Sequence, residues 1–177
     1  MEDLSLHILD IAENSINAGA DNIEIKIIED TNKDLLTIEI TDDGKGMDND
    51  VAQKTADPFY TSRTTRKVGL GLPMLQESTQ MANGEMKITS ELGVGTKVKA
   101  TFQLSHIDRK PMGNMVDTIV ALIARNSEIN INYLEEQNGK KFRFDTREIK
   151  SKYKGINFKL VETLSFIKKY IKENTVF

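Results

Sequence analysis

Leu36-Thr37-Ile38-Glu39-Ile40-Thr41-Asp42-Asp43-Gly44-Lys45-Gly46-Met47 is the stretch on which the fold turns. Leu36, Ile38 and Ile40 alternate with polar residues, the period of a half-buried strand, and the strand runs directly into an acidic turn with two glycines. Upstream, Ile23, Ile25 and Ile27 alternate with charged residues in the same way. Asp30-Thr31-Asn32-Lys33-Asp34 lies between the two runs as a polar turn, so the pair predicts a β-hairpin. Before the hairpin, Leu4, Ile8, Ile11 and Ser15/Ile16 recur at helical spacing. Asp3 suits the N-cap and Gly19 the stop, which predicts an amphipathic helix over 4–17.

Downstream, residues 42–69 carry Gly44, Gly46, Pro58 and a dense Thr/Ser/Arg run, and read as a long loop broken by a short helix near 50–55. A helix is predicted over about 70–82, with Pro73 tolerated in its first turn and Asn83-Gly84 closing it. Strands near 86–90 and 97–104 flank Gly93-Val94-Gly95, and 106–113 is turn-like. Met115, Val116, Ile119, Val120 and Ile123 predict a further helix. Ile129, Ile131, Tyr133 and Phe142, Phe144 flank Asn138-Gly139, a type I′ hairpin signal. A last helix over roughly 157–172 is expected to bury Leu160, Leu164, Ile167 and Ile171 and to expose Lys159, Lys168 and Lys172.

At 177 residues, 38% of them hydrophobic, the chain suffices for one well-buried core or one core plus a small appendage, which excludes two large domains. The absence of cysteine excludes disulfides, thiolate metal sites and cysteine nucleophiles. With His7 and His106 as its histidines, the chain is a poor zinc binder, and any metal should be a hard ion with oxygen ligands. The acidic N-terminus and the lack of an apolar run of membrane-spanning length predict a cytosolic protein without a membrane anchor. The net charge of −3 divides unevenly: ten basic against eighteen acidic residues through 105, a net of −8, and fourteen against nine over 106–177, a net of +5. This asymmetry predicts an acidic first domain, 1–105, and a basic helix–hairpin–helix extension, 106–177.

Four elements can carry chemistry. Asp10 and Asn14 are one helical turn apart, so a carboxylate and an amide project from one face. Asp42, at a strand end, can accept a hydrogen bond from an amino group such as that of adenine, while Gly44 and Gly46 let backbone approach a flat ring. Gly69-Leu70-Gly71-Leu72 leads into a helix, where free N–H groups and the positive end of the dipole suit phosphate oxygens. Gly93-Val94-Gly95-Thr96 is a tight turn between strands. Singly, each has an ordinary reading: a solvated helix face, an acidic turn, a loop-to-helix junction and a hairpin.

In this order the four elements, with the Thr/Arg-rich loop between them, resemble the N, G1, lid, G2 and G3 boxes of the GHKL ATPases, the superfamily of gyrase B, heat-shock chaperone, histidine kinase and MutL ATPases. The resemblance covers about residues 3–104. Asn14-Ser15-Ile16-Asn17-Ala18-Gly19-Ala20 is similar to the mismatch-repair and topoisomerase branch. Asp57-Pro58-Phe59-Tyr60-Thr61-Ser62 and Gly69-Leu70-Gly71-Leu72-Pro73 look like histidine kinase boxes. The resemblance implies an α+β, Bergerat-type two-layer sandwich of helices on a mixed sheet, followed by a small C-terminal α/β extension. It implies that Asn14 ligates Mg2+ on the phosphates of ATP and that Asp42 binds the adenine amino group. Gly44, Gly46 and Met47 would shape the base pocket, Gly69, Leu70, Gly71 and Leu72 would present backbone to the phosphates, and Thr96 would support Asp42. Residues 61–67 would form a lid from which Thr61, Arg63, Arg66 or Lys67 reaches the triphosphate.

The chain departs from the family pattern at three points. Asp10 stands where ATP-hydrolysing members carry a catalytic Glu, one methylene longer, which leaves the reaction open among His, Ser/Thr and water as acceptor. Lys67 stands where many histidine kinases begin the G2 box with Gly. No phosphoacceptor hairpin precedes the N box, so a kinase substrate is expected on another chain. Ser105-His106-Ile107-Asp108-Arg109-Lys110-Pro111 is similar to a histidine kinase acceptor box in permuted order, but His106 follows a strand and reads as a linker residue. His7, one turn before Asp10, reads as a packing histidine or as a group orienting Asp10. The expectation is a stand-alone ATP–Mg2+ binding protein resembling the catalytic domain of histidine kinases, a signalling kinase or ATPase switch acting on a partner protein. The alternatives are a non-catalytic nucleotide-sensing adaptor and a serine/threonine kinase of the anti-sigma-factor type. Nucleic acid is disfavoured as a partner, and a homodimer is left open.

Overall fold

Period-two apolar alternation dictates the sheet, and period-3.6 alternation the helices that cover it. The computed structural model describes residues 2–55 and 71–176, with Asn49 and Gln53 as backbone alone. In chain order the elements are α1 (Leu4–Asn17), β1 (Asn22–Asp30), β2 (Leu35–Asp42), α2 (Asn49–Thr55), α3 (Gly71–Met81), β3 (Met86–Glu91), β4 (Gly95–Gln103), α4 (Met115–Arg125), β5 (Asn130–Gln137), β6 (Lys140–Asp145), α5 (Thr146–Lys152) and α6 (Val161–Asn174). The strands form one six-stranded sheet in the order β3-β4-β2-β1-β5-β6. β1 and β5 run parallel, and the other neighbours are antiparallel.

Register aligns the apolar faces. Ile25 lies opposite Ile40 and Ile27 opposite Ile38, Ile40 opposite Val98 and Ile38 opposite Ala100, and Ile23 opposite Ile131. These residues are buried in one core with Leu4, Ile8 and Ile11 of α1, Leu75 of α3, Ile119 and Leu122 of α4, and Ile167 and Ile171 of α6. The alternate strand positions carry polar side chains instead, with ion pairs from Lys97 and Lys99 to Glu39 at 2.9 and 3.4 Å. The result is the expected α+β sandwich, helices on a mixed sheet. The strands of 106–177 are hydrogen-bonded into the same sheet as those of 1–105. Among the described residues, no helix is long and apolar enough to cross a membrane.

Two local expectations change. The last helix starts at Val161 and not near 157. The Asn157 side chain accepts from Lys159 N at 2.9 Å and folds the chain into a turn before the helix, leaving Leu160 half-exposed and not buried. The short helix α5 has no apolar period to announce it. It is nucleated by Asp145, whose carboxylate accepts from Arg147 N at 2.8 Å. The chain end is tied down as well: buried Glu135 accepts from Tyr133 OH, Thr175 Oγ1 and, at 3.0 Å, Val176 N. Burial, and then the Glu135 carboxylate, push the Tyr133 hydroxyl far above its ordinary pKa.

Candidate functional site

The antiparallel register of β2 and β4 sets Asp42 opposite Thr96 at one end of the sheet, beneath the C-terminal half of α1. Ser15 Oγ donates to Asp42 Oδ2 at 2.5 Å. Gly44 N and Thr96 N donate to Oδ1 at 2.9 and 3.3 Å. An ionised carboxylate offers about four acceptor positions, so with these three filled Asp42 is fixed in place and keeps one for an incoming donor.

The two glycine turns close on this carboxylate. Gly46 has φ +64, and a Cβ there would lie 1.9 Å from the Glu91 carbonyl oxygen; Gly95 has φ +134, and its Cβ would lie 2.0 Å from that of Asp42. A side chain at either position would drive the turns apart. Gly44 is packed tightly against Ala18 and the Asp42 side chain, at 3.2 and 3.1 Å from an added Cβ. Met47 N donates to Ser90 Oγ at 2.8 Å, and Ser90 Oγ lies 2.8 Å from Thr96 Oγ1. Asp42, Gly44, Gly46, Met47 and Thr96 are therefore one constellation.

α1 carries the second half of the site. Asp10 and Asn14 share its face with His7, one turn earlier. Gly71 opens α3 so close to Asp10 that an added Cβ would lie 1.8 Å from Asp10 Oδ2. That oxygen is buried and has no hydrogen-bond partner among the described residues. His7 is fully buried, its Nδ1 has no hydrogen-bond partner among the described residues, and its Nε2 lies 3.5 Å from Lys110 Nζ. Burial first, then the Lys110 charge, lower its pKa to about 4, so the ring is neutral at pH 7.

Asn14 is half-buried and offers a hard amide oxygen. Among the described residues no group of three His, Asp or Glu side chains could hold a metal. A single amide ligand still fits Mg2+, which takes most of its ligands from phosphates and water. Leu72 is buried in the core and supports α3 from below. Thr61, Arg63, Arg66, Lys67, Gly69 and Leu70, with the Asp57–Ser62 motif, lie outside the described residues.

Ser15 and Ser90 are site residues that the sequence motifs do not single out. Ser15 lies on the apolar face of the first helix, and Ser90 at an inward strand position in register with Ile88. A hydroxyl at a core-facing position is the signal that marks both. A cavity of about 540 Å3 is lined by Asp42, Ser90, Gly95 and Thr96 together with Ile23, Val94 and polar residues including Asn22, Glu24 and Arg147, and by none of Asp10, Asn14 or Gly71.

Comparisons with known proteins extend this geometry. The sequence model of the histidine kinase-, DNA gyrase B-, and HSP90-like ATPases matches residues 2–106. The non-motile and phage-resistance protein of Caulobacter vibrioides is 30% identical over 112 residues, 58% of this chain and 13% of that protein. Sensor histidine kinase YvrG of Bacillus subtilis is 27% identical over 94 residues, 51% of this chain and 16% of that protein. The chain thus spans less than a fifth of the length of these two relatives. The crystal structure of the N-terminal domain of a DNA repair protein superimposes with a TM-score of 0.54 at 18% identity, covering 81% of this chain and 52% of that one, a likeness of fold.

Proposed function

The chain belongs to the histidine kinase-, DNA gyrase B- and HSP90-like ATPases, and from that premise we propose that it binds ATP with Mg2+ and acts in the cytosol as a signalling kinase or ATPase switch on a partner protein. The observation that carries the reading is the Asp42 carboxylate, held by Ser15, Gly44 and Thr96 with one acceptor position to spare, as recognition of an adenine amino group requires. Gly44 and Gly46, which let the turns close on this carboxylate, would shape the base pocket beside it. Asn14 would hold Mg2+, which supplies neutralisation of the phosphate charge when bound. Asp10 would serve as the base toward the acceptor, and the start of α3 at Gly71 would face the phosphates. Thr61, Arg63 and Lys67 would contribute from the lid, with Gly69 and Leu70 presenting backbone.

Calorimetric titration with ATP and Mg2+ tests the reading. Asp42→Asn replaces an acceptor oxygen by a donor amide and should weaken binding at least about tenfold, the scale of losing a hydrogen bond to a charged group. Unchanged affinity in that variant would remove the assignment.

A further inference from the structure

Over residues 140–173, which hold β6, α5 and most of α6, the chain carries eleven basic against four acidic residues, a net of +7. β6 is an edge strand, and among the described residues only β5 pairs with it, so its outer side is open. Phe142 and Phe144 of β6 are buried in the core, and the Tyr170 ring of α6 lies against both, at 6.2 and 6.3 Å between centroids. Phe166 stacks on Tyr170 at 6.5 Å, and Tyr153 meets Phe166 edge-on at 5.8 Å. Tyr153, Phe166 and Tyr170 remain 41%, 43% and 38% exposed, so a continuous aromatic stripe leads from solvent to the core-facing side of the open edge. Large apolar groups exposed singly are ordinary, whereas a row of three beside an unpaired strand marks an interaction surface.

We infer that this edge docks an acidic, extended segment of a partner protein, which adds a strand to β6 and sets its apolar side chains against Phe166 and Tyr170; the inference rests on the proposed reading that the chain acts on a partner protein. Strand addition supplies the partners that the outer N–H and C=O groups of β6 lack. A new strand about 4.8 Å away would place every second side chain on the face that holds Phe142, Phe144 and the aromatic stripe.

Charge selects the occupant. Lys140 on the strand, and Lys152 and Lys154 on either side of Tyr153, make no ion pair among the described residues, and the Lys152 ammonium lies 5.5 Å from the Tyr153 ring centre. Basic side chains on an edge oppose pairing with a strand of their own sign. A second copy of β6 would bring Lys140, Lys141 and Arg143 to the same three residues, with Asp145 already paired to Arg143 and Arg147. An acidic strand turns that repulsion into attraction. Nucleic acid or an anionic lipid surface would satisfy the lysines, but neither carries the alternating donors and acceptors that match a strand edge.

The probe is a synthetic peptide as long as β6, six residues, alternating glutamate with valine and phenylalanine and blocked at both ends, titrated into the full chain without nucleotide. It should bind and slow amide hydrogen exchange over residues 140–145, while a peptide with lysine in place of glutamate should not bind. Methylating the backbone nitrogens of the glutamate peptide should weaken binding at least about tenfold, because a methylated nitrogen cannot donate to the edge. Lys152→Glu with Lys154→Glu, and separately Phe166→Ser, should each weaken it at least about tenfold with ATP affinity within about twofold. The charge variant carries the test if Phe166→Ser does not fold. No binding of the glutamate peptide, unchanged exchange over 140–145, equal binding of the methylated peptide, or unaltered affinity in the charge variant overturns the inference. So does a dimer of the chain that Phe166→Ser dissolves, or a single-stranded oligonucleotide or phosphatidylserine vesicle that competes the peptide off this patch. All of these leave ATP binding intact, whereas absence of ATP binding in the wild type removes the proposed function and leaves peptide binding to be read on its own.

Discussion

Ser15 and Asp42, twenty-seven positions apart in sequence, are joined by a 2.5 Å hydrogen bond that links the first helix to the end of the second strand. The neighbour of the metal-ligand candidate Asn14 therefore holds the carboxylate proposed to recognise the base, and the proposed base and phosphate halves of the site share one helix.

Ser15→Ala should weaken ATP binding by about 1.5–3 kcal/mol, because it removes a hydrogen bond to a charged acceptor at a part-buried position. Calorimetry measures the affinity, and circular dichroism checks that the fold is kept. Ser15→Thr, which retains the hydroxyl, should lose less.

Gly95→Ala should destabilise the fold, since φ +134 is strained for any side chain and the added Cβ would lie 2.0 Å from a backbone oxygen that cannot swing away. A loss of at least about 2 kcal/mol in urea unfolding is expected.

Gly71→Ala differs from Gly95→Ala, because its added Cβ meets the end of the Asp10 side chain, 1.8 Å away, and that carboxylate can rotate. Stability should fall by about 1 kcal/mol or less, while phosphoryl transfer should drop with the displacement of Asp10. Comparing unfolding midpoints with turnover in the two glycine variants checks the contrast.

His7 gives stability a specific pH dependence. Its folded pKa, about 4, lies below the unfolded value of 6.5, so the unfolded chain binds the proton more readily. Stability from the neutral ring is present above pH 6.5 and is lost as pH falls toward 4, by up to about 3 kcal/mol. Urea unfolding between pH 7.5 and 4 should show this slope, and it should shrink in a folded His7→Asn variant.

Removing residues 175–177 should destabilise the chain by about 1–3 kcal/mol, because buried Glu135 loses the Thr175 and Val176 donors and keeps that of Tyr133. Thermal unfolding of the truncated chain measures the loss.

The parts of the fold legible in sequence are those with a strong period. Ile23 to Ile27 and Leu36 to Ile40 announce a hairpin that the structure pairs in register, and Gly44, Gly46, Gly95 and Thr96 are neighbours as their box order implies. Sheet order is not legible, since the pairing of β5 with β1 depends on a contact across more than a hundred residues. Local chemistry with no period also escapes: α5 rests on one cap residue, Asp145. In sequence Lys110 is one of many lysines, and its contact with His7 emerges only with the backbone of Pro111 and Met112 set against the start of α1.

Because β5 pairs in parallel with β1 along Asn22 to Glu29, the family-matched segment shares one sheet with the C-terminal two-fifths of the chain. A fragment ending at Ser105 would bare one whole side of β1, with its row of unpaired N–H and C=O groups, together with the core under Ile131 and Tyr133. Such a fragment should aggregate or pair with the edge of another molecule instead of standing as a smaller soluble domain.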